Sequence, residues 1–222
     1  MSTVPTPAPE SLPPRLARAA VVFAVVASAA NAIGTAFSPY LLVEQPLLLV
    51  GLSADVRHLV LAGGQVDFGL LLVVGTLRRI LSMVSTYALA AAYGPAAIGW
   101  VEGRWPRLAG VVRWVTRALD KGGAALLLAV PTYSLAALAG AARFPFRTFL
   151  WAAILGQLWL VAVYLLVGEA LMGFTAPLLA WLKTHVVPAT AVSVALVGLQ
   201  QGVSRLRARR RKSQGEGNRH ST

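Results

Sequence analysis

No charged residue falls between Arg147 and Glu169, and the stretch Thr148–Val167 inside that interval is almost wholly apolar. A helix of that length crosses the roughly 30 Å hydrocarbon core of a bilayer. Only helices and closed barrels satisfy their backbone polar groups in hydrocarbon, so the run restricts the chain to an all-α membrane architecture. It is not alone. Ala19–Phe37 and Val186–Val203 are further apolar runs, and residues 66–93 form a long apolar segment with Arg78 and Arg79 near its middle. The whole chain of 222 residues is 57% hydrophobic and 13% charged, against about 45–50% and about 25% in a soluble domain. That balance excludes a soluble enzyme, a secreted scaffold and a disordered tail as descriptions of the whole chain.

Charge and small-residue patterning set the topology. The net charge is +12, and Arg205, Arg207, Arg209, Arg210, Arg211, Lys212 and Arg219 stand against Glu216 near the C-terminus. Basic residues beside a span mark the cytoplasmic side and contact anionic lipid, so a cytoplasmic C-terminal tail over 204–222 is expected in place of a nucleic-acid site. Residues 1–14, with five prolines, read as a disordered leader. The competing reading of Ala19–Phe37 is a signal peptide cleaved near Ala30-Asn31-Ala32; further spans downstream favour a spanning helix. Between Trp105 and Asp120, Leu108, Val111, Val112, Val115 and Leu119 follow helical spacing, with Arg107, Arg113 and Arg117 largely off that face. Pro106 is placed to start this helix, and its pattern suits the membrane interface or a docked partner.

Two segments break the spanning pattern. Pro46, apolar residues and Gly51 precede Asp55 and Arg57; Ser53 is placed to cap a helix from Ala54. Pro131, apolar residues and Gly140 precede Arg143 and Arg147. Paired interrupted segments in two halves of a chain point to a transporter-like site, so Pro46, Gly51, Pro131 and Gly140 are expected to shape two re-entrant helical hairpins. The alternative is two unrelated helix breaks. Gly94-Pro95 is expected to end or kink the helix over 66–93.

Charges at bilayer depth cost about 2.5–3.5 kcal/mol each and so pair, snorkel or line a wet cavity. Arg78 and Arg79 point about 100° apart on a helix, and a guanidinium fork matches phosphate oxygens. They are candidates for binding an anionic substrate, or mark a cytoplasmic helix end. Glu44 and Asp55 are candidates for proton coupling, because a carboxyl partly withdrawn from water holds its proton more tightly. Tyr40, Trp100, Trp105, Trp114 and Trp181 read as interfacial anchors, and His58 and His185 as helix-end residues. With no cysteine and three scattered histidines, no metal or cofactor is expected. Gly-x-Ser-x-Gly, Walker-type and His-Glu-x-x-His motifs are absent from the sequence, so no enzyme activity is expected.

The segment Ala139-Gly140-Ala141-Ala142-Arg143-Phe144-Pro145-Phe146-Arg147-Thr148-Phe149-Leu150, followed by Gly156 and Trp159, resembles the DedA family, also called SNARE-associated or VTT-domain proteins. Tyr87 and Gly94 sit where that family has its Gly-Asp…Tyr…Gly-Arg…Gly helix, and Glu44–Asp55 where it has its first re-entrant segment with functional acids. The resemblance spans roughly residues 30–170. It implies a helical membrane domain with two re-entrant hairpins and, in bacterial members, movement of lipids such as undecaprenyl phosphate, linked to the proton-motive force. Eukaryotic relatives look like lipid scramblases. Arg143 and Arg147 thereby join Arg78 and Arg79 as candidate substrate-binding residues. The family's Arg-Phe-x-Pro-x-x-Arg element is replaced by Leu126–Tyr133, with a proline and no arginine, its usual Asp falls at Met83, and its usual Asn at Ala153. Either Arg78 and Arg79 replace the lost arginines, or the chain is a non-transporting scaffold of the same fold. The expected partners are anionic membrane lipids, with a homo-oligomer as a further option.

Overall fold

The computed structural model describes residues 14–104 and 122–217, with side chains over 18–93 and 122–203. The leader and the amphipathic segment 106–120 lie outside the described residues, as do the side chains of the basic tail. The described chain is helical, with no strand among the described residues. Helices α1 (Pro14–Ala36), α2 (Ser38–Glu44), α3 (Pro46–Leu52), α4 (Val56–Ala62) and α5 (Phe68–Arg104) come first. Helix α6 covers 122–129, and α7 (Tyr133–Ala141), α8 (Phe146–Ala170), α9 (Met172–Thr184) and α10 (Val186–Gly217) follow.

Among the described residues, four stretches are long and apolar enough to cross a membrane: Arg18–Ala36, Phe68–Tyr93, Phe146–Ala170 and Val186–Val203. Their outer faces carry large apolar side chains, such as Val25 at 64%, Trp151 at 67% and Leu199 at 66% exposure. Apolar surface on that scale is not left to water by a soluble monomer; hydrocarbon covers it. This is the build of a multi-pass membrane protein.

The chain divides into two compact units. Unit 1 takes α1 up to Ser28, α5 from Thr76, then α6, α7 and α8 up to Val163. Its core joins Met83, Tyr87 and Ala91 of α5, Leu127 of α6, Ala136 and Ala139 of α7, and Phe149, Ala152 and Ala153 of α8. Lipid tails are as apolar as leucine, so helix association in a bilayer relies on close packing of small residues and on buried hydrogen bonds. The alanines and Gly140 supply the first. A Cβ at Gly140 would overlap the Tyr87 carbonyl, so α7 lies directly on the α5 backbone. Ring stacking of Tyr87 on Phe149, centroids 4.5 Å apart, fills the space beside that contact.

Unit 2 takes the end of α1 from Ala29, α2, α3, α4, α5 up to Gly75, the end of α8 from Tyr164, α9 and α10. Its apolar centre is Leu41 and Leu42 of α2, Leu49 of α3, and Leu179 and Leu182 of α9. Pro39 and Pro46 stand in the first turns of α2 and α3, where the missing N–H costs nothing. Helix α4 lies against the end of α8, where a Cβ at Gly168 would overlap the Val60 carbonyl.

Two local expectations change. The helix after Ser53 begins at Val56, with Asp55 in the capping position and making no side-chain cap bond. Ser53 is in extended backbone, and its hydroxyl instead donates to Asn31 Oδ1 at 2.7 Å. Of the two expectations for Gly94-Pro95, an end or a kink, the end does not occur: α5 runs on to Arg104, and membrane helices tolerate proline where neighbouring groups re-satisfy the freed carbonyl. Helix α10 runs past the apolar span and carries the first part of the basic tail to Gly217.

Candidate functional site

The break in unit 1 is built from the chemistry of Pro131. Proline has no N–H, so the backbone run ending α6 leaves carbonyls without helical donors. Helix α8 supplies them. Gln157 Nε2 donates to the Pro131 carbonyl at 2.7 Å, and Trp159 Nε1 donates to the Leu128 carbonyl at 2.7 Å. Thr132 then caps α7, its hydroxyl accepting from the Leu135 N–H at 3.4 Å. Pro131 and Gln157 are fully buried. Gln157 and Trp159 thus satisfy two backbone carbonyls at the interruption between α6 and α7.

Gln157 also faces α5. Its Oε1 accepts from Arg79 Nε at 2.6 Å, and its Nε2 lies 2.9 Å from Met83 Sδ. Arg79 is 8% exposed, and its guanidinium carbon sits 5.7 Å from the centre of the Tyr133 ring. Arg79 thus supports the break at Pro131 through Gln157 and through the first residue of α7. Arg78 turns elsewhere: it is half-buried and donates to the Ala27 carbonyl of α1 at 3.0 Å. The two adjacent arginines therefore serve different contacts, as their divergence on a helix requires.

Arg143 sits in the left-handed region, with φ 54°. The Phe144 N–H donates to the Ala139 carbonyl at 2.9 Å and the Arg143 N–H to the Gly140 carbonyl at 3.0 Å. This pair of bonds is a Schellman closure, with Arg143 where glycine is usual and Pro145 soon after. Tyr87 Oη donates to the Phe144 carbonyl, pinning the turn to α5. The side chains of Arg143 and Arg147 are exposed. Arg147 lines a cavity of about 430 Å³ with Thr148, Trp151, Leu155, Ala124 and Leu128. That volume falls in the roughly 300–1,000 Å³ range of small-molecule sites, and its wall is apolar apart from one guanidinium, one hydroxyl and one indole N–H.

In unit 2, Glu44 ends α2 and is exposed, and Asp55 is half-exposed at the start of α4. Asp55 pairs with Arg57 at 3.6 Å, with both side chains about half exposed. Neither carboxylate is sealed inside the unit. Pro46 starts α3 as expected, but Gly51 is not a close-approach position: a Cβ there meets only Val74 Cγ1, at 3.7 Å. The glycines that admit a neighbouring backbone in this unit include Gly168, against the Val60 carbonyl, and Gly63, where a Cβ would lie 2.8 Å from the Leu165 carbonyl. The four arginines, the two acids and the four residues expected to shape hairpins therefore divide by place: Arg78, Arg79, Arg143, Arg147, Pro131 and Gly140 belong to unit 1, and Glu44, Asp55, Pro46 and Gly51 to unit 2. No cluster of three or more metal-ligating side chains occurs among the described residues.

Sequence reasoning missed Gln157. Its signal was present: an uncharged polar residue alone in an apolar span, in a chain that also places a proline break and an intramembrane arginine. His58 stands in the first turn of α4, at a helix end as expected, and is buried, with Nδ1 3.0 Å from the Ser53 carbonyl and 3.1 Å from its hydroxyl. No protein-family model, curated protein or solved structure matches the chain.

Proposed function

We propose that this multi-pass membrane protein moves or scrambles an anionic lipid, an undecaprenyl phosphate or a phospholipid, and that its two interrupted segments are re-entrant hairpins of DedA-like type. The observation that carries the reading is the cavity beside Arg147. An apolar wall suits a hydrocarbon chain, and a single guanidinium at the start of a span suits a phosphate, which it grips in a bidentate fork.

The arginines then take distinct roles. Arg147 contacts the headgroup, Arg143 on the preceding turn and Arg78 on α5 add positive potential, and Arg79 holds the hairpin through Gln157. Glu44 and Asp55 are the proton-coupling candidates, and Glu44→Gln is expected to abolish any pH dependence while leaving folding intact. The protein resides in the cell membrane with α10 leading to a cytoplasmic C-terminus.

The test is transbilayer movement in vesicles that hold the purified protein and a headgroup-labelled phosphatidylglycerol. Arg147→Gln is expected to slow movement by about tenfold, the loss of one charge-assisted hydrogen bond. An unchanged rate from well-folded Arg147→Gln protein contradicts the reading. The continuation of α10 as a basic helix past the last span favours a second reading, a non-transporting scaffold that docks a partner on that arm. Deleting 205–222 separates the two: a transporter keeps its activity in vesicles, whereas a scaffold loses its partner.

A further inference from the structure

Unit 2 contains a further cavity, of about 230 Å³. Its apolar wall is Leu42, Leu49, Leu61, Leu178 and Leu182, and Arg57 and His58 line it beside them. Leu49, Leu42 and Leu182 are nine-tenths or more buried, whereas Leu178 is 52% exposed, so the cavity is closed at the leucine core and open at one flank. The volume is below the roughly 300 Å³ at which whole drug-sized ligands are held. It accommodates the end of one chain, not an entire lipid.

Its polar residues are built in. His58 is 2% exposed and fixed through Nδ1 by Ser53, which in turn donates to Asn31 of α1. Arg57 donates to Thr35 Oγ1 at 3.5 Å and meets Asp55 at 3.6 Å. Both distances are long for charge-assisted bonds, which run about 2.7–2.9 Å, so the guanidinium keeps donors for a better acceptor. Arg57 opens its helix after one break just as Arg147 opens its helix after the other. Each of the two arginines lines a largely apolar cavity in its own unit.

We infer that the Arg57–His58 cavity of unit 2 is a second anionic-lipid site, which takes a phosphate headgroup on Arg57 and the end of one acyl or isoprenoid chain among the leucines. The inference shares its ligand class with the transport reading but not its site, and stands or falls without Arg147.

The experiment is photolabelling of the full-length protein in phosphatidylcholine vesicles with a phosphatidic acid that carries a diazirine on its acyl chain. Adducts are mapped by peptide mass spectrometry. Label is expected on peptides containing Leu61 or Leu178–Leu182, and to fall about tenfold in Arg57→Gln. Label at Trp151–Leu155 is expected to be unchanged in that variant. Arg57 is exposed and weakly paired, so Arg57→Gln folds; Leu178→Trp, at a half-exposed position, fills the flank and is expected to exclude the probe as well. Excess unlabelled phosphatidic acid should compete, and inorganic phosphate should not. Competition by inorganic phosphate alone makes the site one for a free anion and overturns the lipid assignment. Labelling of these peptides that survives both variants, or that excess unlabelled phosphatidic acid does not reduce, also overturns it.

Discussion

Arg143 occupies a conformation that glycine holds more cheaply, and replacing it by Gly and by Ala isolates that backbone term. Both substitutions remove the side chain and its contacts equally, so their difference reports the cost of φ 54° to a residue with a Cβ. A Cβ in the left-handed region costs about 1–2 kcal/mol. Glycine gives back part of this through its freer unfolded chain, about 0.4–1 kcal/mol. The net expectation is that Arg143→Gly is more stable than Arg143→Ala by about 0.5–1 kcal/mol. At about 2–4 °C per kcal/mol for chains of this length, that is a Tm difference of about 1–4 °C, read by tryptophan fluorescence during heating of the detergent-solubilised protein. If Arg143→Ala melts at or above Arg143→Gly, the Schellman assignment is wrong. Strained positions persist where the side chain has work to do, so Arg143→Gly should also slow lipid movement, although it relieves the turn.

Three further outcomes follow from the packing and the buried polar groups. Gln157→Leu orphans the Pro131 carbonyl and the Arg79 Nε–H together; at about 1–3 kcal/mol per buried unsatisfied group it should lower Tm by several degrees, whereas Gln157→Glu should lower it less, because a carboxylate still accepts from Arg79. Gly140→Ala must push α7 off the Tyr87 carbonyl and should cost about 1–3 kcal/mol, while Gly51→Ala should melt within about a degree of wild type; equal effects at the two positions would count against the contact geometry. Burial lowers the pKa of His58, outside the four candidate spans, below its ordinary 6.5. The folded protein therefore favours neutral imidazole. His58 contributes full stability above about pH 6.5, and this is lost as pH falls through the folded value, with a slope of up to about 1.4 kcal/mol per pH unit. His58→Gln should flatten that part of the Tm–pH curve, and an unaltered curve would remove His58 as its cause.

What was legible in the sequence was whatever depends on length and composition. The spans from Ala19, Thr148 and Val186 follow from uninterrupted apolar runs, and the breaks at Pro46 and Pro131 follow from the missing proline N–H. What depends on which backbone touches which was not legible. Gly51 and Gly140 look alike in the sequence, yet only Gly140 meets a neighbouring carbonyl, and Gly168 takes that role in unit 2 from within an ordinary-looking helix. Gly94-Pro95 looks like a terminus and lies inside α5, because a membrane helix can lose one hydrogen bond without ending. The pairing of Arg79 with Gln157 joins residues far apart in the chain, and no local spacing announces it. Arg147 was legible as a charge but not as the polar spot on a cavity wall, since Ala124 and Leu128 reach it from another helix.

Lipid selectivity is the most direct measure of the central claim. Vesicles holding the wild-type protein would be loaded separately with headgroup-labelled phosphatidylglycerol and with phosphatidylcholine that carries the same label on its acyl chain, and the initial rates of transbilayer movement compared with protein-free vesicles. The account predicts movement above the protein-free rate, with the anionic lipid faster and its advantage abolished in Arg147→Gln. Protein-free rates for both lipids, from protein that retains its wild-type melting transition, would contradict it.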